Sequence, residues 1–353
     1  MLCERSRMGL MRNLKFAVPL GLAALVFSPP TAPVAAQTYD EAGFQGYLQL
    51  LAARARGEGV SEATIVRMTS GLTLNQRVIA LDRSQPGSTP GTPPALAPYI
   101  RTHVDAARIA GGRAMLQNVA GIVPGIEAEY GVPAPIIMAI WGHETNYGRY
   151  KGDFDLARSL ATLAYEGRRR ELFASEFIAL LKMVDRGVPR ERLYGSWAGA
   201  FGNPQFLPSV YLRLARDGDG DGDADIWNDR ADTLASIANY FRDSGWRTGE
   251  PWGAKAVVPA GFDATPVATR LDSPSCPRVH ARHSAWKTVA EWQALGVRPL
   301  RPMRADTLAT LIEPDGRGNS AFLLTGNYRV ILQYNCSNYY ALSVGLLADE
   351  IAR

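Results

Sequence analysis

Apolar residues recur at three- and four-residue spacing along most of the chain, for example at Phe44, Leu48 and Leu51. This is the period of an amphipathic helix. A loop rich in Pro, Gly, Ser and Thr separates two such regions at 84–98, and Gly-Val-Pro at 131–133 ends the second, with Pro135 suited to a new first turn. The pattern predicts helices within residues 37–80, 99–130, 171–185, 231–243 and 339–353.

The pattern changes between Trp252 and about Leu324. Pro, Val, Thr and Gly become frequent there, the segments are short, and no helical stripe persists. Such composition is typical of strands and turns. The residues therefore predict a mainly α (α+β) fold with a small β-containing lobe near the C-terminus.

The N-terminal 36 residues have the layout of a secretory signal peptide. A basic region at 11–15 precedes an apolar run at 16–27, which is too short to span a bilayer, and a small-residue stretch ends at Ala36. Gln37 follows in place of a cysteine, so the pattern does not predict lipid attachment. We expect an exported, soluble periplasmic protein without a membrane span.

Glu144 stands at the end of an apolar helix face, seven residues after Ile137 and in line with Ile140 and Trp141. A carboxyl group on a buried face has a raised pKa, as a general acid working near neutral pH requires. A glutamate that caps a helix or forms an ion pair inside a core has the same local pattern. From this stripe alone both interpretations stay open.

Other catalytic classes fit less well. Tyr147 stands where a zinc-protease helix would need a second histidine four residues after His143. Ser196 is second rather than third in Gly195–Gly199, so this is not a nucleophile elbow. Residues 195–209 combine small residues with amide and hydroxyl groups, which suits either close approach of a ligand to the backbone or a tight contact between helices.

Several motifs together resemble the lytic murein transglycosylase B family, in the same order and over nearly the whole mature chain. Asn203 and Pro204 depart from the residues that the family more often has before Gln205. The motifs are Gly-Val-Pro at 131–133, Trp-Gly-x-Glu-Thr-Asn-x-Gly at 141–148, Leu-Ala-Thr-Leu-Ala-Tyr at 160–165, Gly-Ser-Trp-Ala-Gly-Ala at 195–200, Gln-Phe-x-Pro-Ser at 205–209, Ser-Ile-Ala-Asn-Tyr at 236–240, Tyr-Asn-Cys-Ser at 334–337 and Tyr-Ala-Leu at 340–342.

The resemblance implies a lysozyme-like helical core with an N-terminal helical lobe and a small β-containing lobe. It assigns Glu144 as the catalytic residue. It places in the glycan-binding cleft Ser196, Gln205, Tyr240, Tyr334, Asn335 and Tyr340. The implied organisation is a signal peptide at 1–36, an N-terminal helical region at 37–130, a catalytic core at 131–250, a β-containing lobe at 251–324 and a segment returning to the core at 325–353.

The function implied is cleavage of the MurNAc–GlcNAc bond of peptidoglycan with formation of 1,6-anhydro-MurNAc ends, without a cofactor for the chemistry. Peptidoglycan glycan strands are the expected partners, with cell-wall synthesis or division proteins as a further class. Nucleic acid is not expected, since the net charge of +4 is only a mild bias. The alternatives are a hydrolytic muramidase, a non-catalytic wall-binding protein and a calcium-binding module.

Residues 217–225 resemble an EF-hand loop, with acids at its first, third and fifth positions and glycine at the sixth. Asn228 stands at the twelfth position in place of the usual Glu, and the family resemblance implies Asp232 as the closing ligand. A structural Ca²⁺ is predicted; the alternatives are sodium or a solvated acidic turn with Asp232 as a helix cap. The candidate ligands are Asp217, Asp219, Asp221, Asp223 and Asp232.

Cysteine usage leaves one question open. Of the three cysteines, Cys3 falls in the predicted signal peptide. Cys276 and Cys336 remain, and an oxidising compartment would permit a disulfide between them. Two buried thiols are the alternative.

Overall fold

The structure is a computed structural model that describes residues 39–85, 95–269, 273 and 275–353. The predicted signal peptide lies outside the described residues. The helices are α1 Glu41–Gly57, α2 Glu62–Thr69, α3 Gln76–Arg83, α4 Leu96–His103, α5 Ala106–Asn118, α6 Val123–Tyr130, α7 Ala134–Thr145, α8 Leu156–Glu166, α9 Arg170–Asp185, α10 Pro208–Leu214, α11 Arg230–Asp243, α12 Pro277–His280, α13 Val289–Ala294, α14 Gly326–Tyr334 and α15 Asn338–Ile351. The strands are β1 Phe154–Asp155, β2 Tyr194–Gly195, β3 Gly253–Val257, β4 Lys287–Thr288, β5 Arg298–Pro299, β6 Leu308–Ile312 and β7 Ala321–Leu324.

One hydrophobic core joins helices from distant parts of the chain. Helices α1 to α3 pack against α8 and α9, with Phe44 and Phe177 fully buried between them. The side chain of Asp155 caps the start of α8 by accepting a hydrogen bond from the amide of Arg158. Helix α8 ends at Gly167, where the backbone is left-handed and favours glycine. These local signals set the length of the helix at the centre of this core.

Helix α7 is the centre of a second core. Nine of its 12 residues are buried, so it is covered on all sides rather than along one stripe. Helices α5, α11 and α15 pack around it. Gly142 permits a close contact with the turn that follows the helix, because a Cβ there would lie 2.6 Å from the hydroxyl of Tyr147. The apolar sequence of α7 therefore follows from its central position.

A five-stranded antiparallel sheet, in the order β4-β6-β7-β3-β5, forms the small lobe. Successive residues of β7 point to opposite faces, as the two-residue period requires. Phe322 and Leu324 pack into the core around α7, whereas Ala321 and Leu323 pack into a third core with Trp292. One face of the sheet thus packs on the helical part of the molecule, and the other face packs on the third core, within the small lobe.

The predicted fold class is confirmed: the described chain is mainly helical, with the five-stranded sheet and a second, two-stranded sheet of β1 and β2. Two helices on which the site depends, α8 and α14, are absent from the sequence-based prediction. Residues 41–83 and 96–130 contribute to different cores, although the predicted organisation treats them as one region. The domain bounds stay predictions.

Cys276 and Cys336 are joined by a disulfide, with their Cα atoms 5.7 Å apart. The bond links the β-containing lobe to the turn between α14 and α15. Of the two alternatives that the sequence left open, the structure therefore shows the disulfide.

Candidate active site

Glu144 lies in the last turn of α7, where the helix meets α15 from the other end of the chain. Its Oε1 atom accepts a hydrogen bond of 2.5 Å from the hydroxyl of Tyr340. The helix ends at once, because Asn146 and Tyr147 both have positive φ angles. Such left-handed backbone is uncommon outside glycine and concentrates at functional sites. The carboxyl group is thus held at a sharp turn beside a buried tyrosine.

Burial dominates the electrostatics of this group. It raises the pKa of Glu144 to about 7, against the hydrogen bond from Tyr340, which favours the charged form. Burial also raises the pKa values of Tyr334 and Tyr340 well above the usual range, and the charge of Glu144 acts in the same direction. Both hydroxyls therefore remain protonated donors. A carboxyl group with a pKa near neutrality can both give and take a proton.

The turn after α7 packs on the small-residue segment 195–209. The Thr145 hydroxyl donates to the carbonyl of Asn203 at 3.0 Å, and the Gln205 side-chain amide donates to the carbonyl of Lys151 at 3.2 Å. A Cβ at Gly152 would lie only 2.7 Å from the backbone nitrogen of Ser196, so glycine permits this approach. Ser196 and Gln205 are thereby brought beside the turn that carries Glu144.

Tyrosine rings form a wall next to this turn. The rings of Tyr240 and Tyr334 are 4.7 Å apart. The hydroxyl of Tyr334 donates to the carbonyl of Pro204 at 2.5 Å, and that of Tyr240 donates to the carbonyl of Gln333 at 2.8 Å. Asn335, the next residue along, is exposed. All six predicted cleft residues thus lie around the segments that meet at Glu144, although only Tyr340 is bonded to its carboxyl group.

Asn203, which departs from the family pattern, is buried and structural. Its side-chain amide donates to the hydroxyl of Thr233 at 3.0 Å and to the carbonyl of Trp227 at 3.3 Å. A Cβ added at Gly148 would lie 2.7 Å from the Oδ1 atom of Asn203, so glycine permits this close contact. The substitution therefore ties the small-residue segment to α11 and to the turn after α7.

Sequence reasoning missed two side chains near the carboxyl group. The ring of His143 lies 5.5 Å from that of Tyr340, and burial lowers the pKa of His143 to about 3, so this imidazole is neutral. Burial raises the pKa of Tyr99, with a smaller contribution from the charge of Glu144. In the sequence, the position of His143 next to Glu144 is the one feature that could have indicated its role. No sequence feature near Tyr99 indicates that it lies close to Glu144.

The Transglycosylase SLT domain family matches residues 43–349 of this chain. The chain belongs to the lytic murein transglycosylase B-like family. It is 34% identical over 229 residues to the membrane-bound lytic murein transglycosylase B of Escherichia coli (strain K12), and the match covers 63% of this chain and 58% of that protein. The chain thus spans less than two thirds of that relative. The family predicted from the motifs is confirmed.

Solved structures of the family share the fold. SltB3 from Pseudomonas aeruginosa, in complex with NAG-anhNAM-pentapeptide, has a TM-score of 0.78 and 38% identity, covering 88% of this chain and 79% of that one. The Escherichia coli lytic transglycosylase Slt35, in complex with calcium, has a TM-score of 0.70 and 26% identity, covering 89% and 93%. In the part of this family member that the structure describes, no helix is long and apolar enough to cross a membrane.

The acidic loop of this family member brings three predicted ligands together. Carboxylate oxygens of Asp217, Asp219 and Asp221 lie within 4.8 Å of one another, and all three residues are exposed. Asp223 instead faces Arg192 at 3.6 Å. The buried Asp232 accepts hydrogen bonds from two loop amides, those of Gly218 at 2.7 Å and Asp225 at 2.6 Å.

Asp232 does not cap a helix, as one alternative interpretation had it. The N-cap of α11 is Asp229, whose side chain accepts a hydrogen bond from the amide of Asp232. Burial raises the pKa of Asp232 to about 6. The residue instead ties both ends of the acidic loop to the first turn of α11.

Proposed function

We propose that the protein is a lytic transglycosylase that cleaves the MurNAc–GlcNAc bond of peptidoglycan and leaves 1,6-anhydro-MurNAc ends. One observation carries the proposal: Glu144 is a partly buried carboxyl group with a pKa near neutrality, whose side-chain hydrogen bond comes from Tyr340. Such a group can serve as general acid and then as general base. Its setting between tyrosine rings suits a sugar ligand, since rings pack against sugar faces.

The neighbouring acids support a mechanism with one carboxyl group. Glycosidases that use water ordinarily employ two carboxylates. Asp155 is occupied as the cap of α8 and in an ion pair with Arg190. Glu166 is buried and accepts a hydrogen bond from the amide of Arg168. Among the described residues, no acidic side chain contributes to the pKa shift of Glu144.

With one carboxyl group, the nucleophile comes from the substrate. Glu144 first donates its proton to the glycosidic oxygen as the bond to C1 of MurNAc breaks, and GlcNAc leaves as an alcohol. The resulting carboxylate then accepts the proton of the C6 hydroxyl of the same MurNAc. The C6 oxygen bonds to C1 and closes the anhydro ring. The atoms balance without water, and Glu144 ends protonated, as it began. In this mechanism the N-acetyl oxygen of MurNAc would assist the oxocarbenium-like state.

The relatives support the same substrate class. The SltB3 structures contain NAG-anhNAM-pentapeptide and NAG-NAM-pentapeptide, the first of which carries the anhydro ring proposed here as product. The six cleft residues carried over from the family pattern are proposed to hold the glycan strand. Ser196 and Gln205 supply hydroxyl and amide groups for sugar substituents, and Tyr240 and Tyr334 supply flat surfaces.

Mass spectrometry of the digestion products tests this function. Purified peptidoglycan incubated with the protein should lose turbidity and release muropeptides that end in 1,6-anhydro-MurNAc. Reducing MurNAc ends would instead identify a hydrolytic muramidase. Binding to the sacculi without loss of turbidity would identify a wall-binding protein and overturn the enzymatic assignment.

We further propose that the acidic loop holds a Ca²⁺ ion through Asp217, Asp219 and Asp221, with Asp223 and Asp232 as additional ligands. Oxygen ligands of this kind suit calcium, and three adjacent carboxylates repel one another without a cation. The Slt35 structure in complex with calcium supports this choice of ion. The ion would order the loop and the start of α11, and it takes no part in the chemistry.

The periplasm is the proposed location, with the signal peptide removed near Ala36. The N-terminal pattern and the envelope substrate of the relatives support it. The mature protein should begin near Gln37 and leave the cell on osmotic shock without detergent. N-terminal sequencing that finds an uncleaved start or a lipid-modified residue would contradict this location.

A further inference from the structure

His283, which lies between α12 and β4, is a buried histidine with both ring nitrogens bonded. It is only 3% exposed. Its Nε2 atom is 2.9 Å from Oδ1 of Asn338 on α15, and its Nδ1 atom is 3.0 Å from the hydroxyl of Thr310 on β6. Burial lowers the pKa of His283 to about 4, so the ring is neutral near neutral pH. This side chain therefore joins the β-containing lobe to α15.

The partners of the ring decide which nitrogen carries the hydrogen. The side-chain nitrogen of Asn338 donates to the carbonyl of Val279 at 3.2 Å, so its Oδ1 atom faces His283. A carboxamide oxygen only accepts, so Nε2 of the neutral ring carries the hydrogen and Nδ1 accepts from Thr310. The hydroxyl of Tyr328 on α14 donates to the same Oδ1 atom at 3.0 Å. Three hydrogen bonds therefore fix the side chain of Asn338.

Asn338 belongs to the helical turn that carries the partner of Glu144. It begins α15, two residues before Tyr340, and the N-cap Ser337 accepts a hydrogen bond of 3.4 Å from the amide of Tyr340. The hydroxyl of Tyr340 donates to Glu144 at 2.5 Å. The disulfide at Cys336 ties the residue just before the N-cap to the same lobe. Contacts from the lobe thus converge on the first turn of α15.

Directional bonds fix the start of α15 more sharply than its apolar face does. The helix packs on α7 through buried apolar residues. Such contact is not directional, and it sets mainly which face of α15 meets α7. Hydrogen bonds weaken steeply with distance and angle, so those of Asn338 fix the position of the first turn. A misplacement of about 1 Å is enough to impair a catalytic hydrogen bond such as that of Tyr340.

We propose that His283 is a positioning residue that acts through Asn338 to hold the hydroxyl of Tyr340 against the carboxyl group of Glu144. The proposal rests on the proposed function, because Glu144 must be the acid and base of the reaction. The ring of His283 bonds to Asn338 and Thr310 rather than to the site, so its effect passes through the first turn of α15. Without these bonds the turn shifts, and the hydrogen bond that favours the charged form of Glu144 weakens.

Replacing His283 with Phe tests this role, because phenylalanine keeps a buried ring and removes both hydrogen bonds. A ¹³C NMR titration of the Glu144 carboxyl group should show a raised pKa, in the direction expected for Tyr340→Phe. On purified peptidoglycan, kcat should fall about tenfold, as expected for the loss of one hydrogen bond to a charged group. His283→Gln should recover part of both changes, since its amide can donate to Asn338.

A double variant identifies the route of the effect. In a Tyr340→Phe background, His283→Phe should raise the pKa of Glu144 no further, because the hydrogen bond on which it acts is already absent. Asn338→Ala removes the link from the other side and should shift the pKa as His283→Phe does. Val297→Ala is the matched control. Val297 is buried in the third core, which contains no described residue of α15, so its loss destabilises the lobe and should leave the pKa of Glu144 unchanged.

Three outcomes would overturn the proposal. The first is an unchanged pKa of Glu144 in folded His283→Phe. The second is a further shift in the Tyr340→Phe background, which would show another route. The third is an equal shift in Val297→Ala, which would show general loosening of the lobe. If His283→Phe does not fold, Asn338→Ala decides the same comparison.

The titration also keeps this test separate from the proposed function, because it needs no turnover. A wild-type protein that cleaves no peptidoglycan would refute the proposed function. The pKa of Glu144 in the variants would still decide whether His283 holds Tyr340 in place.

Discussion

At the scale of single residues, Glu144 lowers stability at the pH at which it is proposed to act. Its folded pKa of about 7 lies above the ordinary value of 4.5. The folded state therefore binds this proton more tightly than the unfolded state does. The associated stability is complete below about pH 4.5 and is lost as the pH rises through about 7. Above that range the protein holds a partly buried carboxylate at a net cost in stability.

Replacing Glu144 with Gln should therefore have opposite effects on activity and stability. The amide has the same shape but cannot donate and retrieve a proton, so turnover should fall by at least about 100-fold. At pH 8 the variant should be more stable than the wild type by about 3 kcal/mol, and at pH 4 the difference should vanish. Activity assays and chemical denaturation at the two pH values measure this. Near-normal activity would mean that Glu144 is structural.

The hydrogen bond from Tyr340 lowers the pKa of Glu144, the proposed general acid, and so opposes the effect of burial. Its hydroxyl stabilises the carboxylate form, so Tyr340→Phe should raise the pKa of Glu144 further. The alkaline limb of the pH–rate profile should move to higher pH, and the maximum rate should fall because the carboxyl group is held less firmly. Tyr211→Phe is the control, since that hydroxyl donates to the carbonyl of Ala224. An alkaline limb that stays in place would argue against this contact.

At the scale of elements, Asp232 joins the acidic loop to α11 by accepting hydrogen bonds from the amides of Gly218 and Asp225. A calcium ion bound only to the folded loop should raise Tm by mass action. Replacing Asp217 and Asp221 together with Asn should abolish that response, whereas Asp306→Asn, at an exposed acid elsewhere, should keep it. Calcium titration followed by thermal unfolding measures both variants. Identical melting curves in calcium and in EDTA would support a solvated loop.

At the scale of the whole molecule, the disulfide joins the β-containing lobe to the turn between α14 and α15. It links Cys276 to Cys336 across 60 residues and closes a loop that contains most of the sheet. The double change to Ser should lower the free energy of unfolding by about 2 to 4 kcal/mol, chiefly by freeing the unfolded chain. Urea unfolding of the oxidised protein and of the double variant gives this difference, and reduced wild type should match the variant. Equal midpoints would show that packing alone holds the lobe.

The sequence by itself determined the helical class and the family, and it indicated Glu144 as the candidate catalytic residue. Each of these depends on residues that are close together along the chain. The apolar period of α7 and each of the short motifs can be recognised within a few consecutive residues. The acidic loop could be recognised for the same reason. The sheet region could be recognised because it lacks a helical period.

Only the tertiary structure decided which distant side chains meet. Tyr340 bonds to Glu144 across 196 positions, and Asp232 bonds to the amides of Gly218 and Asp225. Each of these depends on how separate helices and strands pack. A local period says which face of an element is buried, but it does not say against which other element that face is buried.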